Sequence, residues 1–82
     1  MLHITSAKYL SEFTLWVEFD DGSKGTVDLE NALSGSIFEP LKEKSLFAQL
    51  HIDPELETVV WPNGADLAPE FLKARLREAR SP

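Results

Sequence analysis

Apolar and polar residues alternate most regularly over residues 13–19, which predicts a β-strand. The apolar positions are Phe13, Leu15, Val17 and Phe19, and the positions between them are Thr14, Trp16 and Glu18. Because successive side chains of a strand point to opposite faces, the apolar set is expected to form the middle of the core. Trp16 then lies on the other face, which is predicted to be either covered by another element or prone to contact a partner.

Two neighbouring segments extend this strand into a three-stranded antiparallel meander. Asp21-Gly22 is a hairpin turn signal, and residues 24–29 have the pattern of the returning strand. Residues 2–8 also alternate, and we expect them to pair with the free side of the central strand. Residues 9–12 are predicted to be the connection between the first two strands.

Shorter signals follow in the second half of the chain. A helical turn should begin at Pro40, because the residue before a proline is disfavoured in the α region. Ser45 is predicted to cap a short helix over residues 46–49. Residues 50–61 then predict a hairpin whose turn has Pro54 at its second position.

The hairpin is followed by the most distinctive stretch of the chain, Trp61-Pro62-Asn63-Gly64. Proline at the second position suits a type I turn, or a type II turn in which Asn63 takes the positive φ. Pro69 then opens a helix that we predict over residues 69–80, with Ala68 at its cap. Its apolar stripe would comprise Phe71, Leu72, Leu76 and Ala79, and its outward face Lys73, Arg77 and Arg80.

These elements predict an α+β fold in a single domain spanning residues 1–82. The fold class is a small antiparallel sheet, an N-terminal three-stranded meander plus a later hairpin, with short helices and a C-terminal helix. The chain has no cysteine, so neither disulfides nor thiolate metal sites stabilise it. At this length the core is small, and a partner that covered more apolar area would stabilise it.

Acidic residues dominate most of the chain, and the formal net charge is −6. Residues 1–70 carry 4 basic and 13 acidic side chains, whereas residues 71–82 carry four basic side chains against Glu78. The basic end has two interpretations: cations that complement a helix C-terminus, or a small tail that binds an anion or a partner. No apolar run approaches a membrane span, and we expect a cytoplasmic protein.

No set of residues indicates a catalytic site, a cofactor or a metal centre. His3 and His51 are isolated from each other in sequence, without the spacing of a zinc site. The carboxylates at residues 20–21 and 53–57 lack the spacing of a calcium loop and are better explained as turn residues. We therefore expect a protein that is not an enzyme and that uses no cofactor.

Four residues are candidates for binding a partner: Trp16, Trp61, Asn63 and Asp66. Tryptophan is common at interfaces and also in cores, so both interpretations of Trp61 stay open. Asn63 and Asp66 are predicted to flank a cleft between Trp61 and the C-terminal helix. They either line a binding patch there or only make turn and loop hydrogen bonds.

Six short segments occur in a characteristic order: Asp21-Gly22, Val27-Asp28-Leu29, Phe38-Glu39-Pro40-Leu41, Phe47-Ala48, Asp53-Pro54-Glu55-Leu56 and Trp61-Pro62-Asn63-Gly64-Ala65-Asp66-Leu67. Together they resemble a bacterial domain of unknown function, family number 2442. The resemblance covers residues 9–72 and implies a small α+β domain with an antiparallel sheet. Some relatives carry a helix-turn-helix after this domain, and others are similar to members of two-gene, toxin–antitoxin-like pairs. The chain ends at Pro82, so we expect no such DNA-binding segment. The family implies no catalytic residues.

These observations lead to two functional hypotheses. The first is a non-enzymatic protein-interaction module, an antitoxin-like partner in a two-gene pair, whose acidic body binds another small, basic protein. The alternative is a transcription-related domain that contacts nucleic acid through the basic C-terminal helix. The net charge disfavours nucleic acid, no membrane partner is expected, and homo-oligomerisation is left open.

Overall fold

The computed structural model describes residues 1–78, and within them it shows the predicted α+β fold. The strands are β1 (Ile4–Ser11), β2 (Thr14–Phe19), β3 (Lys24–Asp28), β4 (His51–Asp53), β5 (Thr58–Val60) and β6 (Arg77–Glu78). The helices are α1 (Lys44–Phe47) and α2 (Pro69–Ala74), and short 3-10 turns span Glu30–Ala32 and Glu39–Lys42. None of the helices within residues 1–78 is long and apolar enough to cross a membrane.

The strands form a four-stranded sheet in the order β1-β2-β3-β6 and a two-stranded sheet of β4 and β5. All neighbouring strands are antiparallel, which confirms the predicted meander and the later hairpin. The first strand was predicted to end at Lys8, but β1 continues to Ser11. The reason is a tight turn in which Glu12 adopts φ 50, a left-handed conformation that a glutamate does not signal in sequence.

The core lies on one face of the large sheet. Leu15, Val17 and Val27 point to this face and are fully buried. They join one apolar cluster with Phe47 of α1, Val59 of β5 and Leu72 of α2. The helices and the second hairpin therefore all cover the same face of the sheet.

The C-terminal helix is much shorter than the sequence predicts. α2 ends at Ala74, and Arg77–Glu78 instead pairs with Gly25 and Thr26 as β6. The predicted helix over residues 69–80 is therefore wrong beyond Ala74. Helix propensity is a weak local preference, and here pairing with the open edge of β3 outweighs it. The predicted positions of Ala79 and Arg80 lie outside the described residues.

The start of α1 also differs from the prediction. Ser45 lies inside the helix, and Glu43 occupies the cap position in an extended conformation with no side-chain cap bond. The Ser45 hydroxyl donates instead to the Glu43 carboxylate at 3.3 Å. Ala68, by contrast, occupies the predicted cap position of α2, with ψ 144 and a proline immediately after it.

A polar latch joins α2 to the turn between β2 and β3. Lys73 Nζ donates to Asp21 Oδ2 and, at 2.7 Å, to Ser23 Oγ. It also lies 5.4 Å from the centre of the Phe19 ring. The hydrogen bond from Lys73, followed by those from Ser23, lowers the pKa of Asp21 well below its ordinary value of 3.8.

This latch predicts a pH-dependent stability that Lys73→Met reduces, because Lys73 is the largest cause of the lowered Asp21 pKa while the bonds from Ser23 remain. Because the pKa of Asp21 is lower in the folded than in the unfolded state, the ion pair stabilises the fold fully above about pH 4. This stabilisation is lost as the pH falls from about 4 toward the lower, folded-state pKa. In urea melts, the difference in stability between wild type and Lys73→Met should be largest at neutral pH and should shrink progressively as the pH falls below about 4. A difference that stayed constant over this range would show that Asp21 titrates alike in both proteins.

Candidate functional site

The outer face of the large sheet has Trp16 at its centre. Across the ladder, Trp16 lies directly opposite Lys8 on β1 and Thr26 on β3, and Thr26 lies opposite Arg77 on β6. Trp16 is absent from the apolar cluster on the other face, and it keeps part of its surface exposed. We call the row Lys8–Trp16–Thr26–Arg77 the Trp16 row.

The rest of this outer face is polar. Glu18 lies opposite Lys24 in the row on one side of Trp16, and Thr14 lies opposite Asp28 in the row on the other side. All of these side chains are partly or fully exposed. Within residues 1–78 the face is therefore an uncovered, largely polar surface around one tryptophan.

Trp61, in contrast, belongs to the core. It is 2% exposed, and its indole N–H donates to the Phe47 carbonyl at 2.8 Å. Its ring lies 5.6 Å from the Phe47 ring, centre to centre. Leu72 of α2 is in the same buried cluster, so packed side chains fill the space where the sequence predicts a cleft. Trp61 is not available to a partner on the surface of this fold.

The turn after Trp61 agrees with a type I geometry. The Gly64 N–H donates to the Trp61 carbonyl at 2.9 Å, which closes the turn. Gly64 has φ 90, whereas Asn63 is not among the residues with positive φ. The type II alternative with a left-handed Asn63 is therefore wrong.

Asn63 holds two loops together. Its side-chain amide donates to the Ile37 carbonyl at 2.9 Å, and its side-chain oxygen accepts from the Ala65 N–H at 3.1 Å. Asp66 is exposed, and its backbone forms a bridge with Val60. Both polar groups of the Asn63 side chain are therefore used in hydrogen bonds within the fold, whereas the Asp66 carboxylate lies on the surface.

Replacing Asn63 with alanine should lower the free energy of unfolding by about 1–2 kcal/mol, because two hydrogen bonds are lost. Asp66→Ala is the matched control, because it truncates a polar side chain only three sequence positions from Asn63. That control should stay within about 0.5 kcal/mol of wild type. Urea unfolding measures the free energy of unfolding of both variants. An equal loss in the two variants would contradict the bridging role of Asn63.

Sequence reasoning missed a second polar cluster, at His3. Its Nδ1 lies 3.0 Å from Asp20 Oδ2, and its Nε2 lies 2.8 Å from Glu57 Oε2. The cluster joins the start of β1 to the turns that follow β2 and β4. These residues are far apart in sequence, and no local pattern indicates that they meet. Lys8 and Arg77 were missed for the same reason, because only the strand register places them beside Trp16.

The carboxylate clusters act as turn caps. Asp53 Oδ1 accepts from the Leu56 N–H at 3.0 Å and from the Glu55 N–H at 2.8 Å, which lowers the pKa of Asp53. The backbone N–H of His3 bonds Asp20 and lowers its pKa in the same way. Among residues 1–78, no group of three His, Asp or Glu side chains is placed to hold a metal ion.

The fold and the site define a small α+β domain with one packed and one open sheet face. The family model described as a protein of unknown function (DUF2442) matches residues 4–78, and the chain belongs to this family. No curated protein and no solved structure matches the chain.

Proposed function

We propose that this protein is a non-enzymatic protein-interaction module and that its docking surface is the outer face of the large sheet. The observation that carries the proposal is the position of Trp16, partly exposed at the centre of a sheet face that the rest of residues 1–78 leaves open. Tryptophan is among the residues that contribute most to binding when a partner desolvates them. The small core gives a second reason, because a partner on this face would add the apolar surface of Trp16 to the buried area.

The partner that we propose is another small protein, in an antitoxin-like, two-gene arrangement of the kind that the family resemblance suggests. The net charge of −6 supports a partner that is basic overall. Opposite net charges accelerate the approach of two proteins over distances longer than any single contact. No catalytic step is assigned to this module.

The proposal is tested by coexpression with the product of the adjacent gene and affinity capture of the complex. Trp16→Ala should abolish capture while leaving the domain folded, because truncating a partly exposed side chain costs only about 1 kcal/mol. Leu56→Ala is the matched control: Leu56 is a large apolar residue, 54% exposed, in the turn between β4 and β5.

Three outcomes decide the matter. If wild type and Leu56→Ala capture the partner but Trp16→Ala does not, the result supports the outer sheet face as the docking surface. Equal capture by all three proteins places the interface elsewhere. A wild-type protein that elutes as a monomer in size-exclusion chromatography and captures none of its genomic neighbours contradicts the interaction module itself.

We favour a nucleic-acid role through the C-terminal helix less, because the described cations of this segment do not form one basic surface. Lys73 is held by Asp21, Arg75 lies 3.7 Å above the centre of the Phe71 ring, and Arg77 is on β6. These cations therefore do not share one helix face. We expect no binding of duplex DNA at low salt in an anisotropy titration, and salt-sensitive binding there would reinstate this role.

A further inference from the structure

The open sheet face carries an arrangement of charge that differs from the rest of the molecule. Lys8 and Arg77 occupy the two outer strands of the Trp16 row, on either side of Trp16 and Thr26. Both are exposed. Neither has a carboxylate within ion-pair distance among the side chains that the structure describes.

Most other cations in the described residues already have partners. Lys42 pairs with Glu39, Lys44 with Glu12 and Lys73 with Asp21. Arg75 stacks on the Phe71 ring. Lys24 makes no ion pair among the described side chains, but Glu18 lies opposite it in the sheet register. Lys8 and Arg77 differ from these cations because, among the described residues, they have neither an ion pair, nor a ring contact, nor a carboxylate opposite them in the register. They flank Trp16 on the open face.

The register also sets the spacing between these two cations. Lys8 and Arg77 are three strand intervals apart, which is about 14 Å at the usual spacing of about 4.8 Å. An extended peptide rises about 3.3 Å per residue, so side chains four positions apart are separated by about 13 Å. Those two side chains and the one midway between them point to the same face of the peptide.

The geometry points to an acidic segment of the partner protein as the occupant of this face: two carboxylates flank an apolar or aromatic side chain, each carboxylate meets Lys8 or Arg77, and the central side chain packs on Trp16. This inference rests on the proposed function and adds the chemistry of the contact. It is compatible with a partner that is basic elsewhere, because net charge governs the approach and the Trp16 row governs the contact.

The inference is tested with short synthetic peptides and the full chain labelled with ¹⁵N. One peptide has Glu-Thr-Phe-Thr-Glu at its centre, and its matched control has Lys-Thr-Phe-Thr-Lys. A single-stranded oligothymidylate is the third probe, because an aromatic residue between cations on a sheet is also a platform for stacking bases. The readout is the Trp16 indole N–H resonance, assigned by its loss in Trp16→Phe.

We expect the acidic peptide to shift this resonance and the basic peptide to leave it unchanged. Reversing both charges, in Lys8→Glu with Arg77→Glu, should weaken binding of the acidic peptide by about tenfold, since two exposed ion pairs are lost. Lys42→Glu with Lys44→Glu changes the net charge equally at sites away from the Trp16 row and should have a much smaller effect.

Several results would overturn the inference: equal binding of the two peptides, tighter binding of the oligothymidylate, equal weakening in the two charge-reversed proteins, or no response to the acidic peptide at millimolar concentration. The proposed function is judged separately. Suppose that the adjacent gene product is captured by the protein with Lys8→Glu and Arg77→Glu but not by Trp16→Ala. The outer sheet face is then supported as the docking surface, and the inference that an acidic segment binds there is wrong.

Discussion

Replacing Trp61 with alanine is expected to lower the free energy of unfolding by about 3–5 kcal/mol, a large share of the total stability of a domain of this size. Trp61 is among the largest fully buried side chains, and it packs against Phe47. The substitution would leave a cavity between β5 and α1. It would also remove the indole N–H that satisfies the Phe47 carbonyl.

Two variants isolate the reasons for this loss. Trp61→Phe keeps an aromatic ring but removes the N–H donor, and should cost clearly less than the alanine variant. Trp16→Ala removes the same number of atoms from the open face and should cost about 1 kcal/mol. Urea melts at one pH compare the three proteins. If Trp16→Ala proved the most damaging, the outer face would be covered and Trp61 would not be the anchor of the core.

Replacing Phe47 with alanine is expected to have an effect of similar size, about 3–5 kcal/mol. The Phe47 side chain is fully buried and meets three aromatic rings. Ring centres lie 6.0 Å away for Tyr9, 5.3 Å for Phe13 and 5.6 Å for Trp61. α1 has only 4 residues, too few to form a stable helix alone, so its position depends on this side chain.

Leu46→Ala is the control for Phe47→Ala, because Leu46 is the neighbouring residue of the same helix and is only partly buried. Both variants introduce alanine, and the gain in helix propensity over Leu or Phe is at most about 0.7 kcal/mol, so the difference between them mainly measures burial. We expect Leu46→Ala to cost about 1–2 kcal/mol. Thermal unfolding followed by circular dichroism gives both values. Similar losses would mean that α1 is held by its backbone contacts rather than by Phe47.

The central part of the fold was predictable because its signals are local. The alternation over residues 13–19 and the turn at Asp21-Gly22 identify β2 and β3, and β2 has the predicted buried face. The same alternation placed Trp16 on the opposite face. β1 was harder, because the ladder has irregularities between Ile4 and Ser6 and between Tyr9 and Ser11, and these interrupt the period of two.

The other errors arose where distant contacts outweigh local preference. Residues 75–78 have helical composition, yet the edge of β3 is available and Arg77–Glu78 completes it. The candidate site was affected in the same way. Trp16 was identified from its own strand, but Lys8 and Arg77 join it only through the register of β1 and β6. For Trp61 the sequence left both a core and an interface interpretation open, and only its contacts with distant residues place it in the core.

The latch between Lys73 and Asp21 has a consequence for the order of folding. It joins residues 52 positions apart, whereas β1, β2 and β3 are linked by short turns. Contacts between near neighbours close small loops and tend to form early, so the meander should be present in the folding transition state and the latch should not. Removing the latch in Lys73→Met should then accelerate unfolding and leave the folding rate nearly unchanged. Stopped-flow mixing with urea separates the two rates, and slower folding of the variant would mean that α2 docks before the barrier is crossed.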